Sequence, residues 1–185
     1  MKTITLALII FFIQARGQEI PLFPDPPADV SPIVQLVTKD EPGLRLAIKG
    51  RAYEADGTTP IPNLVLFLYQ TDATGVYNRN NGSWKQPRLH GWVKTDSQGR
   101  FTIFTIKPGS YPRGRTPAHI HVVVRFPGSA PRWLDSFLFA DDPLLTTEQK
   151  EQARAAGRFS NIIQLTKDQE GTLHGVRDIR IFRKP

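Results

Sequence analysis

The sequence predicts an all-β fold: a β-sandwich of mixed short strands with one short helix near the C-terminal part. Three observations carry that expectation. Short stretches with strand-like patterning recur along the chain, separated by turn signals. The 185 residues include 16 prolines, each of which removes a backbone donor and breaks a helix interior. A single segment carries both a helix start and a helix stop signal.

The chain divides into three parts. Residues 1–17 read as a secretory signal peptide. Met1-Lys2 is a short basic start, Ile4 to Ile13 is apolar except for Thr5, and Ala15-Arg16-Gly17 supplies small residues at the cleavage site. Cleavage is expected between Gly17 and Gln18. The apolar core falls short of the roughly 20 residues a membrane helix needs. The expectation is therefore an exported protein, periplasmic or extracellular, with no stable membrane span after cleavage. Residues 18–43 hold Pro21, Pro24, Pro26, Pro27, Pro32 and Pro42 and read as an extended arm, draped over the domain or a partner. Residues 44–185 form the sandwich domain.

Within that domain, Leu44-Arg45-Leu46-Ala47-Ile48 alternates apolar and polar, the pattern of a half-buried strand. Asn63 to Gln70 is a near-continuous apolar run, expected for a strand covered on both faces. Gly91 to Thr95 and Arg100 to Ile106 flank Asp96-Ser97-Gln98-Gly99, a hairpin turn. His119 to Arg125 and Trp133 to Phe139 are further strands, separated by Pro127-Gly128-Ser129. Thr146 to Gln149 offers a capping box, good helix formers run to Ala156, and Gly157 ends the helix. Val176 to Phe182 closes the domain.

Composition removes several functional classes. Hydrophobic residues are 39% and charged residues 22%, enough apolar side chain to build a core. The absence of cysteine excludes a disulfide scaffold, a thiolate metal site and a cysteine nucleophile. The net charge is +7, and the first 17 residues carry two of the cations, Lys2 and Arg16. The remaining cations are scattered, with no basic run and no aromatic-interleaved stripe, so no nucleic acid partner is expected. No nucleophile elbow, P-loop or dinucleotide fingerprint is present.

The strongest chemical feature is Pro117-Ala118-His119-Ile120-His121. Residues two apart on a strand share a face, so His119 and His121 project side by side. Two converging imidazoles suit a metal; the same tripeptide also fits two half-exposed strand histidines. No acidic residue is close in sequence, which leaves distant carboxylates and tyrosine phenols as further donors. Of the four tyrosines, Tyr53 and Tyr69 lie in or beside strands and read as packing residues. Tyr77 and Tyr111 lie in loops.

These residues carry a resemblance to the intradiol ring-cleavage dioxygenases, of the protocatechuate 3,4-dioxygenase and catechol 1,2-dioxygenase type. The likeness runs from about Lys49 to Phe182. It is densest in Gly99-Arg100-Phe101, in Thr105-Ile106-Lys107-Pro108-Gly109-Ser110-Tyr111-Pro112 and in Pro117-Ala118-His119-Ile120-His121. Upstream, Gly50-Arg51-Ala52, Gly57, Pro60 and Pro62-Asn63 lead into the apolar strand and then into Gly75-Val76-Tyr77. The resemblance implies non-haem Fe(III) held by Tyr77, Tyr111, His119 and His121. It implies that Tyr111 is the axial ligand that leaves on substrate binding, while Tyr77 stays. The implied reaction cleaves a catechol-like ring between its hydroxyl-bearing carbons with O2, giving a cis,cis-muconate-type diacid. The resemblance allows a homo-oligomer.

Two positions depart from the family pattern. Thr116 stands where an arginine usually assists the activated substrate, with Arg115, one place earlier, as the catalytic candidate for that role. Ser136 stands where a glutamine is common. Val76, Trp92 and Arg132 are candidate pocket residues, and Lys107, Arg113, Arg115 and Arg125 are cations that would favour an acidic substrate. His90 and His174 have no ligand-like neighbours. Trp84, Trp92 and Trp133 are large aromatics whose default role is packing. Two rival readings follow. One is a non-catalytic secreted binding module with a structural or vestigial metal site. The other is a hydrolase whose metal uses Asp141 or Asp142, residues that otherwise read as turn and helix-entry positions.

Overall fold

A computed structural model describes residues 25–77 and 87–182. The expected signal peptide, the first residues of the arm and Trp84 lie outside the described residues. Among the described residues, eleven strands form two facing sheets: β1 (Ile33–Gln35), β2 (Arg45–Tyr53), β3 (Val65–Gln70), β4 (Leu89–Lys94), β5 (Arg100–Ile106), β6 (His119–Arg125), β7 (Arg132–Phe139), β8 (Ile162–Ile163), β9 (Leu165–Lys167), β10 (Leu173–Val176) and β11 (Ile179–Arg180). The first sheet has the order β1-β5-β2-β10-β9, with β11 also on β2. The second has the order β4-β3-β6-β7-β8. Parallel and antiparallel pairs coexist: β1 runs parallel to β5, whereas β3 is antiparallel to both β4 and β6. The chain is thus an all-β sandwich of mixed strands.

Strand alternation builds the core. Leu66 and Leu68 of β3, Ile120, Val122 and Val124 of β6, and Ile48 and Ile103 of the opposite sheet are fully buried between the layers. Their neighbours in sequence point away from the core, as the period of two requires. The second sheet is covered on its outer side as well: Phe67 and Val123 are 5% and 1% exposed there. That explains why β3 lacks a polar face in sequence.

The arm does more than drape. Its described part inserts β1 at the edge of the first sheet, in register with Thr102 to Phe104. The Ser31 carbonyl accepts the Lys94 amide of the second sheet at 3.0 Å. Val30, Leu36 and Val37 are buried. Gly91 makes room for this closure, because a Cβ there would meet Leu36 at 2.6 Å. The sandwich therefore begins upstream of Leu44.

The helix, α1 (Thr147–Ala156), has Thr146 as N-cap, a complete capping box with Gln149, and Gly157 at φ 58° as its C-cap. A single 3₁₀ turn follows, Gly157–Phe159. The C-terminal closing segment is two short strands, not one. Arg177 and Asp178 interrupt it, and the Asp178 carboxylate accepts the Arg51 amide at 3.1 Å. Among the described residues, no helix is long and apolar enough to cross a membrane.

Candidate metal centre

The site sits on the outer face of the second sheet. Ile120 faces the core, so His119 and His121 face outward on β6. The cross-strand register places Tyr69 of β3 opposite His121, and the two rings stack at 4.4 Å and 19°. On the other side, β7 carries a bulge. Val122 pairs with Leu134 and Ile120 with Phe137, so Asp135 and Ser136 together oppose His121. Such an extra residue re-aims a side chain, and the Ser136 Oγ lies 3.4 Å from His121 Nδ1. Trp133 flanks the His121 ring at 5.9 Å.

Two loops bring the tyrosines. The Asp72 carboxylate accepts the backbone N–H groups of Thr74 and Val76 and the Thr74 hydroxyl at 2.7–3.1 Å, curling the loop that carries Tyr77. The second loop, Lys107 to Tyr111, is sewn to the first. The Gly109 amide donates to the Asp72 carbonyl at 2.8 Å, and the Thr71 hydroxyl to the Gly109 carbonyl at 2.8 Å. The approach is close enough to require glycine. A Cβ at Gly75 (φ +82°) would sit 1.9 Å from the Ser110 carbonyl oxygen, and one at Gly109 would sit 2.5 Å from the Gly75 nitrogen.

Four donor atoms converge as a result. Tyr77 Oη lies 3.0 Å from Tyr111 Oη. Tyr111 Oη lies 3.1 Å from His119 Nε2, and His119 Nε2 lies 2.9 Å from His121 Nε2. The His119 Nδ1–H donates to the Pro117 carbonyl at 2.7 Å, so its Nε2 carries a lone pair aimed at the cluster. That single lone pair faces two partners at once. Burial, and then the neighbouring His119, push the His121 pKa down to about 3, which keeps its imidazole neutral as a metal ligand requires. Burial and the hydrogen bond with Tyr111 raise the Tyr77 phenol far above its ordinary value. Only a strong cation makes a phenolate there.

The donor set fits a ferric ion. Donor atoms that share one ion at roughly 2.0–2.1 Å lie within about 4 Å of one another, as the three linked pairs here do. Two hard phenolate oxygens and two imidazoles favour iron(III) over a soft metal. Asp141 pairs with Lys107, and Asp142 accepts the Ala118 amide and the Ser110 hydroxyl; among the described residues no three His, Cys, Asp or Glu side chains come together.

The remaining sequence candidates are distributed differently. Val76 is 41% exposed and adjoins Tyr77 in its loop. Trp92 shares the outer face but lies on β4, packed on Phe67 at 5.0 Å. Arg132 is not brought to the cluster. Its guanidinium donates to the Phe182 carbonyl at 2.8 Å and lies over the Phe126 ring, at the far end of β7. Arg113 and Arg115 are exposed in the loop that follows Tyr111. Lys107 and Arg125 are paired with Asp141 and Asp25. His90 bonds the Pro87 carbonyl and His174 bonds Asp168, ordinary roles for both. Sequence reasoning missed Tyr69, whose place against His121 depends on strand register and leaves no local signal.

A sandwich that presents two imidazoles and two phenols at one point defines a class, an all-β protein with a mixed tyrosine–histidine donor cluster. Comparison with known proteins narrows it. The dioxygenase family profile matches residues 19–175. The beta chain of protocatechuate 3,4-dioxygenase from Burkholderia cepacia is 29% identical over 155 residues of alignment, covering 71% of this chain and 66% of that protein. The chain thus spans just under two thirds of that relative's length. The dioxygenase domain of a dioxygenase carbohydrate-binding fusion from Streptomyces sp. SirexAA-E superposes with a TM-score of 0.63 at 23% identity, over 88% of this chain and 96% of that one. The 3-chlorocatechol 1,2-dioxygenase of Rhodococcus opacus 1CP gives a TM-score of 0.64 at 18% identity, over 87% of this chain and 70% of that one. This chain belongs to the intradiol dioxygenase family.

Proposed function

We propose that the chain is a non-haem iron(III)-dependent intradiol dioxygenase acting on a catechol-type diol. The observation that carries the reading is the run of three contacts at 2.9–3.1 Å linking Tyr77, Tyr111, His119 and His121. These four residues would hold the metal. Bound iron(III) supplies Lewis-acid and one-electron chemistry that makes a catecholate reactive toward O2. The overall reaction places both oxygen atoms in the two carboxyl groups of a cis,cis-muconate-type product.

The protein's own groups divide the work. Tyr111 is followed by exposed residues, Pro112 to Thr116, so its side chain has room to swing aside. Its Oη then takes a proton from one substrate hydroxyl. Tyr77 lies between Tyr69, Tyr111 and His121 and stays in place. The Pro117 carbonyl fixes the His119 tautomer, and Tyr69 stacking holds the His121 ring plane. Trp133 and Tyr69 supply apolar surface beside His121, which keeps water from the reacting ring. Arg115, exposed in its loop, is the candidate for the cation that Thr116 does not provide. Export to the periplasm or outside the cell, on the strength of residues 1–17, would direct the enzyme to catechols outside the cytoplasm. Recovery of the protein in the cytosol with residues 1–17 intact overturns that part.

The test is the visible spectrum of the ferric-loaded protein, with and without catechol under anaerobic conditions. A broad tyrosinate-to-iron band that shifts with catechol, followed by O2 uptake and a diacid product, supports the reading. A protein that stays colourless after ferric reconstitution overturns it and favours a non-catalytic binding module.

A further inference from the structure

The ligands Tyr111 and His119 are joined by a loop that does little to fix their separation. Pro112 to Thr116 are exposed, and the backbone bond within the loop runs from the Gly114 amide to the Tyr111 carbonyl at 3.0 Å. The tie between the two segments comes from a distant residue. Asp142 is 6% exposed and lies in the turn after β7. Its Oδ2 accepts the Ala118 amide at 2.7 Å and the Ser110 hydroxyl at 3.3 Å. One carboxylate oxygen therefore touches the residue immediately before each ligand. The other oxygen, Oδ1, accepts the Leu144 amide at 2.8 Å. The turn that carries Asp142 is itself anchored, with its own amide donating to the Phe139 carbonyl at 3.0 Å.

We propose that Asp142 is a positioning residue for the metal centre, bracing the Tyr111 and His119 segments against one another; this rests on the iron-centre reading above. The chemistry requires an acceptor at both oxygens. Three donors surround the carboxylate, so an asparagine presents its NH₂ to at least one N–H or O–H and loses that bond. A buried donor left unpaired in this way is costly: with the amide oxygen kept on Ala118 and Ser110 the loss falls on Leu144 and loosens the turn that carries the side chain, and with the amide reversed it falls on the two ligand-bearing segments. The neighbouring Lys107–Asp141 pair ties the same turn to the same loop at 2.5 Å. Asp141 is 60% exposed, so that pair contributes little.

The experiment compares Asp142→Asn and Ser110→Ala with Thr95→Ala in the full chain. Thr95 is a buried hydroxyl at the opposite end of the sandwich, bonded to Leu64 and Ile61. Amide exchange at Ala118 is read without iron, and ferric affinity is read by chelator competition with the tyrosinate band as signal. Asp142→Asn should speed Ala118 exchange at least tenfold. It should weaken ferric binding by about 10–100-fold, the range for groups that orient metal ligands, and alter the band. Ser110→Ala, which removes the longer bond, should weaken binding by less. Thr95→Ala should lower thermal stability with ferric affinity unchanged. Unchanged Ala118 exchange in Asp142→Asn, or unchanged ferric affinity despite fast exchange, overturns the proposal. If Asp142→Asn does not fold, ferric affinity in Ser110→Ala equal to that of the parent overturns it. Absence of ferric binding by the parent overturns the iron-centre reading itself, and the Ala118 result then shows separately whether the brace exists.

Discussion

His119 Nε2 and His121 Nε2 lie 2.9 Å apart, each on the outward face of one strand and each held from behind. The Pro117 carbonyl fixes His119, and the Tyr69 ring and Ser136 hydroxyl hold His121. Two ring nitrogens so placed can both turn a lone pair on one cation. His119→Ala and His121→Ala should each lower ferric affinity by more than about 100-fold, beyond the loss expected from groups that merely orient a ligand. Visible titration with ferric iron checks this. Near-parental affinity in either variant would remove that histidine from the ligand set.

Three tyrosines crowd the centre, and their surroundings separate them. Tyr69 stacks on His121, with its phenol pushed up to about 12 by burial and by Tyr111. Its oxygen makes none of the three close contacts that link the other donors. Tyr69→Phe should therefore keep the tyrosinate-to-iron band. Tyr77→Phe and Tyr111→Phe should each remove part of it. Resonance Raman with excitation in the band distinguishes the cases, because tyrosinate modes persist in Tyr69→Phe. A band lost with Tyr69 and kept without Tyr77 would reassign the ligands.

Gly75 and Gly109 face each other where the two tyrosine loops meet. Gly75→Ala puts a methyl group 1.9 Å from the Ser110 carbonyl oxygen at φ +82°. A left-handed conformation costs an L-residue roughly 1–2 kcal/mol, and overpacking adds about 1–3 kcal/mol. The loops must part, and Tyr111 moves with its loop. Gly75→Ala should lose roughly 2–5 kcal/mol of stability by these two costs and at least tenfold in ferric affinity. Gly128→Ala is the control. Gly128 also has a positive φ, +74°, but nothing lies within 4 Å of its Cβ position. It should lose stability by the backbone cost alone and keep its iron affinity.

Much of this arrangement is legible in the sequence. The His119–His121 pair, the loop tyrosines and the capping box from Thr146 to Gln149 are local patterns, and the structure keeps each as its sequence spacing requires. Strand alternation placed Ile120 in the core and both histidines outside it. What stayed hidden depends on contacts between distant segments. The stacking of Tyr69 on His121 needs the β3–β6 register, and the opposition of Ser136 to His121 needs the β7 bulge. Asp142 looked like a turn residue, and one of its oxygens serves that turn; its second role lies 24 residues back, at Ala118. Arg132 shows the converse. It is a candidate pocket residue in sequence, but its strand position directs it to the Phe182 carbonyl. The arm read as a separate segment because its prolines mask a three-residue strand.

The arm's second anchor predicts a distinct acid response. Arg88 donates to both oxygens of Glu41 at 2.5 and 2.7 Å, joining the arm to the residue just before β4. Glu41 is 8% exposed and Arg88 is 32% exposed. The Arg88 hydrogen bonds hold the Glu41 carboxyl below its ordinary value of 4.5, against the opposing effect of burial. Charged Glu41 therefore favours the folded state, which binds fewer protons than the unfolded chain over that interval. Its stabilisation is fully present above pH 4.5 and is lost as the pH falls through the folded-state pKa. Glu41→Gln should cost roughly 1.5–3 kcal/mol at neutral pH, the range for hydrogen bonds to charged groups. The gap from the parent should narrow steadily once the pH drops below 4.5. Urea unfolding of both proteins across the acid range measures that gap. A constant difference at every pH would mean that the pair acts through packing and not through charge.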